Sequence, residues 1–169
     1  KILILGVTGQ DGSLLADYLT EKKYQVFGLI RKSSNRNYDN VKKLINRRNF
    51  KLIQGDILDF FSIENAIRKI RPHEIYNFAD QDHVRWSSQI PGYSFDVTAR
   101  SVFNILNLIN IHSPKSKYFQ PFSSNMFGDI KKMKINEKDS FSPLSVYALS
   151  KVSAFYICEF FKRVHNLKI

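Results

Sequence analysis

Tyr147 and Lys151 stand four residues apart in Tyr147-Ala148-Leu149-Ser150-Lys151, a spacing that places both side chains on one face of a helix. An ammonium beside a phenol favours the phenolate, drawing a group that ordinarily titrates near about 10 toward neutral pH. Such a tyrosine can take the proton of a hydroxyl while the carbon bearing it gives up hydride. The pattern Tyr-x-x-x-Lys recurs by chance in many helices, so its weight depends on its surroundings.

A second group of residues suits a phosphate. Gly6-Val7-Thr8-Gly9-Gln10-Asp11-Gly12 follows the apolar run Ile2-Leu3-Ile4-Leu5 and precedes Leu14, Leu15, Tyr18 and Leu19 at helical spacing. The pattern is strand, tight turn, helix. Glycine reaches backbone angles closed to other residues and puts no side chain between a ligand and the amides. The first helical amides lack partners inside the helix and sit at the positive end of its dipole, so the turn is prepared for a pyrophosphate. Its spacing, G-x-x-G-x-x-G, differs from the G-x-G-x-x-G fingerprint. An ordinary strand-to-helix turn is the alternative reading.

These groups need a frame. Residues 25–30 read as a second strand, 50–54 as a third, 74–78 as a fourth and 118–122 as a fifth, which ends in Ser123-Ser124-Asn125. Helical spacing covers 62–70, 95–111 and about 145–163, and Val41, Leu44 and Ile45 suggest a short helix. Pro91-Gly92-Tyr93 reads as a turn and Leu167-Lys168-Ile169 as the opening of a sixth strand. Short apolar strands alternating with helices predict an α/β fold with a doubly wound parallel sheet.

In such a sheet ligands lie beyond the carboxyl ends of the strands. The second strand runs into Arg31-Lys32-Ser33-Ser34-Asn35-Arg36, with no carboxylate before Asp39. An acidic residue there would accept the ribose hydroxyls of NAD, whereas arginine accommodates the 2′-phosphate of NADP. The segment therefore predicts NADP, a merely polar loop being the alternative. Asp56, beside Ile57 at the end of the third strand, suits the adenine or simply closes a turn.

Composition narrows the class. With 169 residues, 43% hydrophobic and 24% charged, the chain reads as one soluble globular domain. No apolar run approaches the roughly 18 residues of a membrane span, so no membrane partner is expected. A single cysteine, Cys158, allows no internal disulfide and fits the reducing cytoplasm; it reads as a small core residue. The net charge of +11 is spread over short pairs such as Lys22-Lys23, Lys42-Lys43, Arg47-Arg48 and Lys131-Lys132. That scatter predicts solvated surface, with no nucleic-acid partner.

A glycine turn, a strand ending in Ser123 and Ser124, then Tyr147 and Lys151 is an order that resembles the short-chain dehydrogenase/reductases. Gly6 to Gly12, Gly55-Asp56-Ile57, Ala79-Asp80-Gln81-Asp82-His83-Val84 and Tyr118-Phe119-Gln120 resemble the extended, sugar-nucleotide branch and, within it, the GDP-mannose 4,6-dehydratase family. The resemblance runs along the whole chain. It implies a Rossmann-type NAD(P)-binding domain over residues 1–169, without the family's smaller carboxyl-terminal substrate domain. It also implies NADP as cofactor, a GDP-mannose-like nucleotide sugar as substrate and, for the full-length protein, a homo-oligomer.

By that resemblance Gly6, Val7, Thr8, Gly9, Gln10, Asp11 and Gly12 would wrap the pyrophosphate and Arg31 would meet the 2′-phosphate. Asp56 and Ile57 would meet the adenine, and Phe78, Ala79, Asp80, Gln81 and Asp82 with Tyr93 the rest of the cofactor. Ser123 would hydrogen-bond the sugar, Tyr147 would be the catalytic base and Lys151 would bind the nicotinamide ribose. In the family, hydride leaves C4, water is lost across C5 and C6, and hydride returns to C6.

Asn125 departs from the pattern, because the dehydratases carry there a glutamate that handles the C5 proton and the leaving hydroxyl. An amide cannot carry that proton at neutral pH. Pro121-Phe122 also replaces small residues. Oxidation at C4 needs only Tyr147, Lys151 and cofactor, so the expectation is a dehydratase with a weakened elimination step. An epimerase or oxidoreductase on a related nucleotide sugar, or a non-catalytic NADP-binding relative, are the alternatives.

Overall fold

The computed structural model describes residues 1–31, 38–129 and 134–169. Lys32 to Arg36, part of the segment behind the NADP expectation, and the Lys131-Lys132 pair lie outside the described residues. The strands β1 (Ile2–Leu5), β2 (Val26–Ile30), β3 (Phe50–Gln54), β4 (Glu74–Asn77) and β5 (Lys117–Phe119) form one sheet in the order β3-β2-β1-β4-β5. Every pairing is parallel. β1 is central, matched from Ile2 to Leu5 with Val26 to Leu29 on one side and with Glu74 to Asn77 on the other. The chain winds outward to β3, then returns past β1 to β4. The order therefore reverses between β1 and β4, the switch point where doubly wound Rossmann-type sheets take their ligands.

β1 can occupy the centre because successive side chains alternate faces and all four are apolar. Leu3 and Leu5 pack with Ile63, Ile67, Ile75, Ile105, Leu106 and Phe161. Ile2 and Ile4 pack on the other face with Val7, Ala16, Leu19, Val26 and Val41. Helices α2 (Phe60–Ile70), α5 (Ser101–His112) and α6 (Val146–Val164) thus cover one face, and α1 (Gln10–Glu21) covers the other. Among the described residues no helix is long and apolar enough to cross a membrane.

Several expectations need adjustment. α1 turns Gly12, Ser13, Ala16, Leu19 and Thr20 inward, while Leu14 and Tyr18 are more than half exposed. Small residues on the buried face let the helix lie close to the sheet. Pro91-Gly92-Tyr93 is not a turn but the opening of α4 (Pro91–Phe95), where proline's missing N–H costs nothing because a first-turn N–H has no helical partner. The helix runs on through a wide turn at Asp96–Arg100 into α5. Residues 41–45 give only a 3-10 turn, Asp39–Val41. β5 stops at Phe119, and Lys168, in the expected opening of a sixth strand, makes a parallel bridge to Lys117.

Two local constraints are testable. Gly6 has φ +75°, and a Cβ there would stand 2.7 Å from the Ala79 nitrogen and the Phe78 carbonyl carbon. Gly6→Ala is expected to cost about 2–5 kcal/mol, adding a left-handed backbone (about 1–2) to overpacking (about 1–3), read as a lowered urea midpoint. Cys158 is buried in α6, and burial pushes its thiol up to about 12. At pH 8 a thiol reagent is expected to label the native protein on the order of 100-fold or more slower than the urea-unfolded chain.

Candidate functional site

Two adjoining hollows open beyond the carboxyl ends of the strands. One, of about 330 Å³, is lined by Gly6, Thr8, Gly9, Arg31, Asp56, Ile57, Phe78, Ala79, Asp80, Asp82 and Tyr93, with Leu29, Ile30, Gly55 and Val97. The other, of about 290 Å³, is lined by Gly9, Gln10, Asp11, Gly12, Phe78, Asp80, Asp82, Pro121, Phe122, Tyr147 and Lys151. Gly9, Phe78, Asp80 and Asp82 border both, so the two make one groove across the switch point.

The glycine turn forms one bank. Gly9 is the N-cap of α1 and no side chain caps that end, which leaves the first helical amides for a ligand. The Gly9 N–H donates to the Gly6 carbonyl at 3.1 Å. Asn40 Nδ2 donates to the Thr8 carbonyl at 2.8 Å and steadies the turn from outside. At the far end Arg31 Nη1 donates to the Tyr93 hydroxyl at 2.9 Å, joining the end of β2 to α4. Asp56 lines the groove and also closes a turn, its Oδ1 accepting the Leu58 N–H at 2.9 Å.

The other bank starts at the amino end of α6. Ser145 caps that helix, its Oγ accepting the Ala148 N–H at 3.0 Å, so Tyr147 falls in the first turn and Lys151 one turn later. The Tyr147 N–H donates to Ser87 Oγ at 3.2 Å, and Ser87 donates to the Val84 carbonyl at 2.6 Å within α3 (Val84–Ser87). Both side chains are buried, Tyr147 at 8% and Lys151 at 3% exposure. Lys151 Nζ stands 5.7 Å from the centre of the Tyr147 ring. It donates to the Pro121 carbonyl at 3.0 Å and forms an ion pair with Asp80 Oδ2. Asp80 Oδ1 in turn accepts from Thr98 Oγ1 at 2.5 Å and from the Gln81 N–H at 2.8 Å.

Beneath the groove a buried amide sets how the chain leaves β4. Asn77 Nδ2 donates to the Tyr118 hydroxyl at 3.1 Å and to Gln120 Oε1 at 2.9 Å, while its Oδ1 accepts the Ala79 N–H at 3.3 Å. Burial holds the Tyr118 phenol well above its ordinary value, so Tyr118 is a neutral donor, to Gln120 at 2.6 Å.

The remaining residues singled out in the sequence line neither hollow. Val7 is fully buried in the α1 side of the core, at the spot that Gly28 leaves free. Gln81 is bonded through Oε1 to Ser94 and through Nε2 to the His83 carbonyl. Ser123 Oγ accepts the Asn125 N–H at 3.2 Å and caps the 3-10 turn Ser124–Phe127; Asn125 itself is exposed. Sequence reasoning passed over Ser87 and Thr98, which hold Tyr147 and Asp80. A serine or threonine inside a helical segment gives no sign of what it will touch.

The family model for "GDP-mannose 4,6 dehydratase" matches residues 3–169. GDP-mannose 4,6 dehydratases 1 and 2 of Arabidopsis thaliana are 37% and 38% identical over 175 residues, covering 98% of this chain and 48% and 47% of their own lengths. The solved UDP-glucose 4-epimerase of Thermotoga maritima superposes with a TM-score of 0.87 at 26% identity, over 98% of this chain and 52% of that one. The chain spans about half the length of the curated relatives it matches. With the family model aligned from the third residue to the last, the chain belongs to the GDP-mannose 4,6 dehydratase family.

Proposed function

We propose that this chain is the cofactor-binding part of a nucleotide-sugar 4,6-dehydratase that works on a GDP-mannose-like substrate with NADP, the rest of the relatives' length holding the substrate domain. The observation that carries the reading is that the glycine turn and the Tyr147–Lys151 pair border one groove. A Cβ on Gly9 would meet only the Gly6 carbonyl, at 3.4 Å, so the backbone there is open to a pyrophosphate. Family membership supports the same chemistry. The reading takes the full-length protein as a cytoplasmic homo-oligomer.

Bound NADP supplies the acceptor for hydride from sugar C4 and the donor that returns it to C6 after water is lost across C5 and C6. Tyr147 takes the C4 hydroxyl proton as that carbon is oxidised, and Ser123 donates to the sugar. Lys151 keeps positive charge beside the phenol and meets the nicotinamide ribose. Arg31, oriented by Tyr93, takes the 2′-phosphate, with Asp56 and Ile57 at the adenine. The amides from Gly9 to Gly12 hold the pyrophosphate. At position 125 the amide can neither accept the C5 proton nor return one to the leaving hydroxyl. This is the feature that favours a second reading, an epimerase or oxidoreductase on a related nucleotide sugar that works through a transient 4-keto state without loss of water.

Two measurements test the proposal on the full-length protein. NADP is expected to bind about 10- to 100-fold more tightly than NAD, and Arg31→Ala to erase most of the difference, since one charge-assisted phosphate contact is worth that much; preference for NAD sinks the NADP assignment. With GDP-mannose, nicotinamide absorbance at about 340 nm is expected to rise readily while the 4-keto-6-deoxy product forms slowly. Asn125→Glu should speed that product at least about tenfold, because a placed acid–base group contributes about 10²–10⁴. Rapid product formation with Asn125 in place overturns the weakened elimination, and nicotinamide reduction with no product in either protein favours the second reading.

A further inference from the structure

We infer that Asp80 is a positioning residue for Lys151: it fixes the ammonium at the Tyr147 end of the groove and acts on a bound dinucleotide through that lysine, not by its own contact. The inference rests on the dinucleotide reading above and assigns the group that sets Lys151 in place.

A lysine has a flexible four-carbon stem and three N–H donors. Here two of the three are committed, one to Asp80 and one to the Pro121 carbonyl, leaving one for a ligand. The Lys151 side chain is 3% exposed, in a hollow walled by Phe78, Pro121 and Phe122. A buried charge is retained only where it is paired and hydrogen-bonded. Asp80 supplies that partner, and it is itself held in place. Its side chain is 13% exposed, and Thr98 Oγ1, from the wide turn before α5, and the N–H of the adjacent Gln81 hold Oδ1, so that Oδ2 faces the lysine. Asp11 and Asp82 border the same hollow, but no ion pair joins either of them to Lys151. A carboxylate facing a pyrophosphate directly would repel it, whereas one that organises an ammonium assists the ligand.

A double-mutant cycle separates the two modes of action. In the full-length protein Asp80→Asn keeps the side-chain volume and an oxygen for Thr98, but sets an N–H against the ammonium. It is expected to weaken NADP at least about tenfold while leaving adenosine 2′,5′-bisphosphate, which lacks the nicotinamide ribose, within about twofold. In a Lys151→Met background the same change is expected to cost nothing further or to restore affinity. Thr98→Val, one contact removed, should act in the same direction and more weakly. Equal loss of both ligands, equal cost in both backgrounds, or no loss at all overturns the inference. If wild type binds NADP but transfers no hydride from any nucleotide sugar, the dehydratase reading falls and the cycle still decides the role of Asp80. If it binds no dinucleotide, both fall.

Discussion

The groove depends on the close approach of Gly6 to the exit of β4. β1 and β4 are hydrogen-bonded neighbours up to Leu5 and Asn77, which fixes their separation at roughly 4.8 Å. Past that point the chain after β1 must turn up into α1 while the chain after β4 turns over it. A glycine with positive φ lets the two backbones touch. Gly12 matters in the same way, since a Cβ on it would stand 2.5 Å from the Gly6 carbonyl. The helix amino end and residues 78–82 therefore become facing walls of one hollow, and Asn77 holds the second wall from below.

Charge inside the groove is unlike charge on the chain as a whole. The sequence carries +11, yet the hollow beside Tyr147 is bordered by Asp11, Asp80 and Asp82 against Lys151 alone. Lys151 is already paired. For the proposed dinucleotide, attraction for phosphate would then come from oriented amides, the α1 dipole and Arg31, not from a general positive potential. Other basic residues serve the frame: Arg47 meets Asp17 at 2.8 Å and Thr20 at 2.6 Å on the outside of α1. Net charge is thus a poor guide to this ligand, while backbone geometry is a good one.

This explains which parts of the molecule were legible in the sequence. β1 was, because a strand buried on both faces must be a continuous apolar run. Tyr147 and Lys151 were, because helical spacing alone brings them to one face. Periodicity tells which residues share a face but not which face is inward, and so Leu14 and Tyr18 point out while Ala16 points in. The ion pair of Lys151 with Asp80 joins residues 71 apart in the chain, and the support of Tyr147 by Ser87 spans 60. Contacts of that range are set by the sheet order and leave no local trace.

The residues proposed for the two chemical stages of the reaction rest on different kinds of support in this chain. Tyr147 and Lys151 lie in the first two turns of a capped helix of 19 residues, tied to α3 and to the segment just after β5. Ser123 and Asn125 lie instead on one 3-10 turn, held by the Ser123 cap, by the Ser142 N–H to the Met126 carbonyl at 3.0 Å, and by Gly128 at φ +56° against Ser142. A short exposed turn tolerates a change of side chain that a buried helix face does not. Under the proposed dehydratase reading, an amide at 125 therefore bears on proton transfer at C5 while the Tyr147–Lys151 pair keeps its geometry. On the same reading, loss of Asp80 would strike the opposite half, leaving the turn intact and freeing the lysine proposed to serve C4 oxidation.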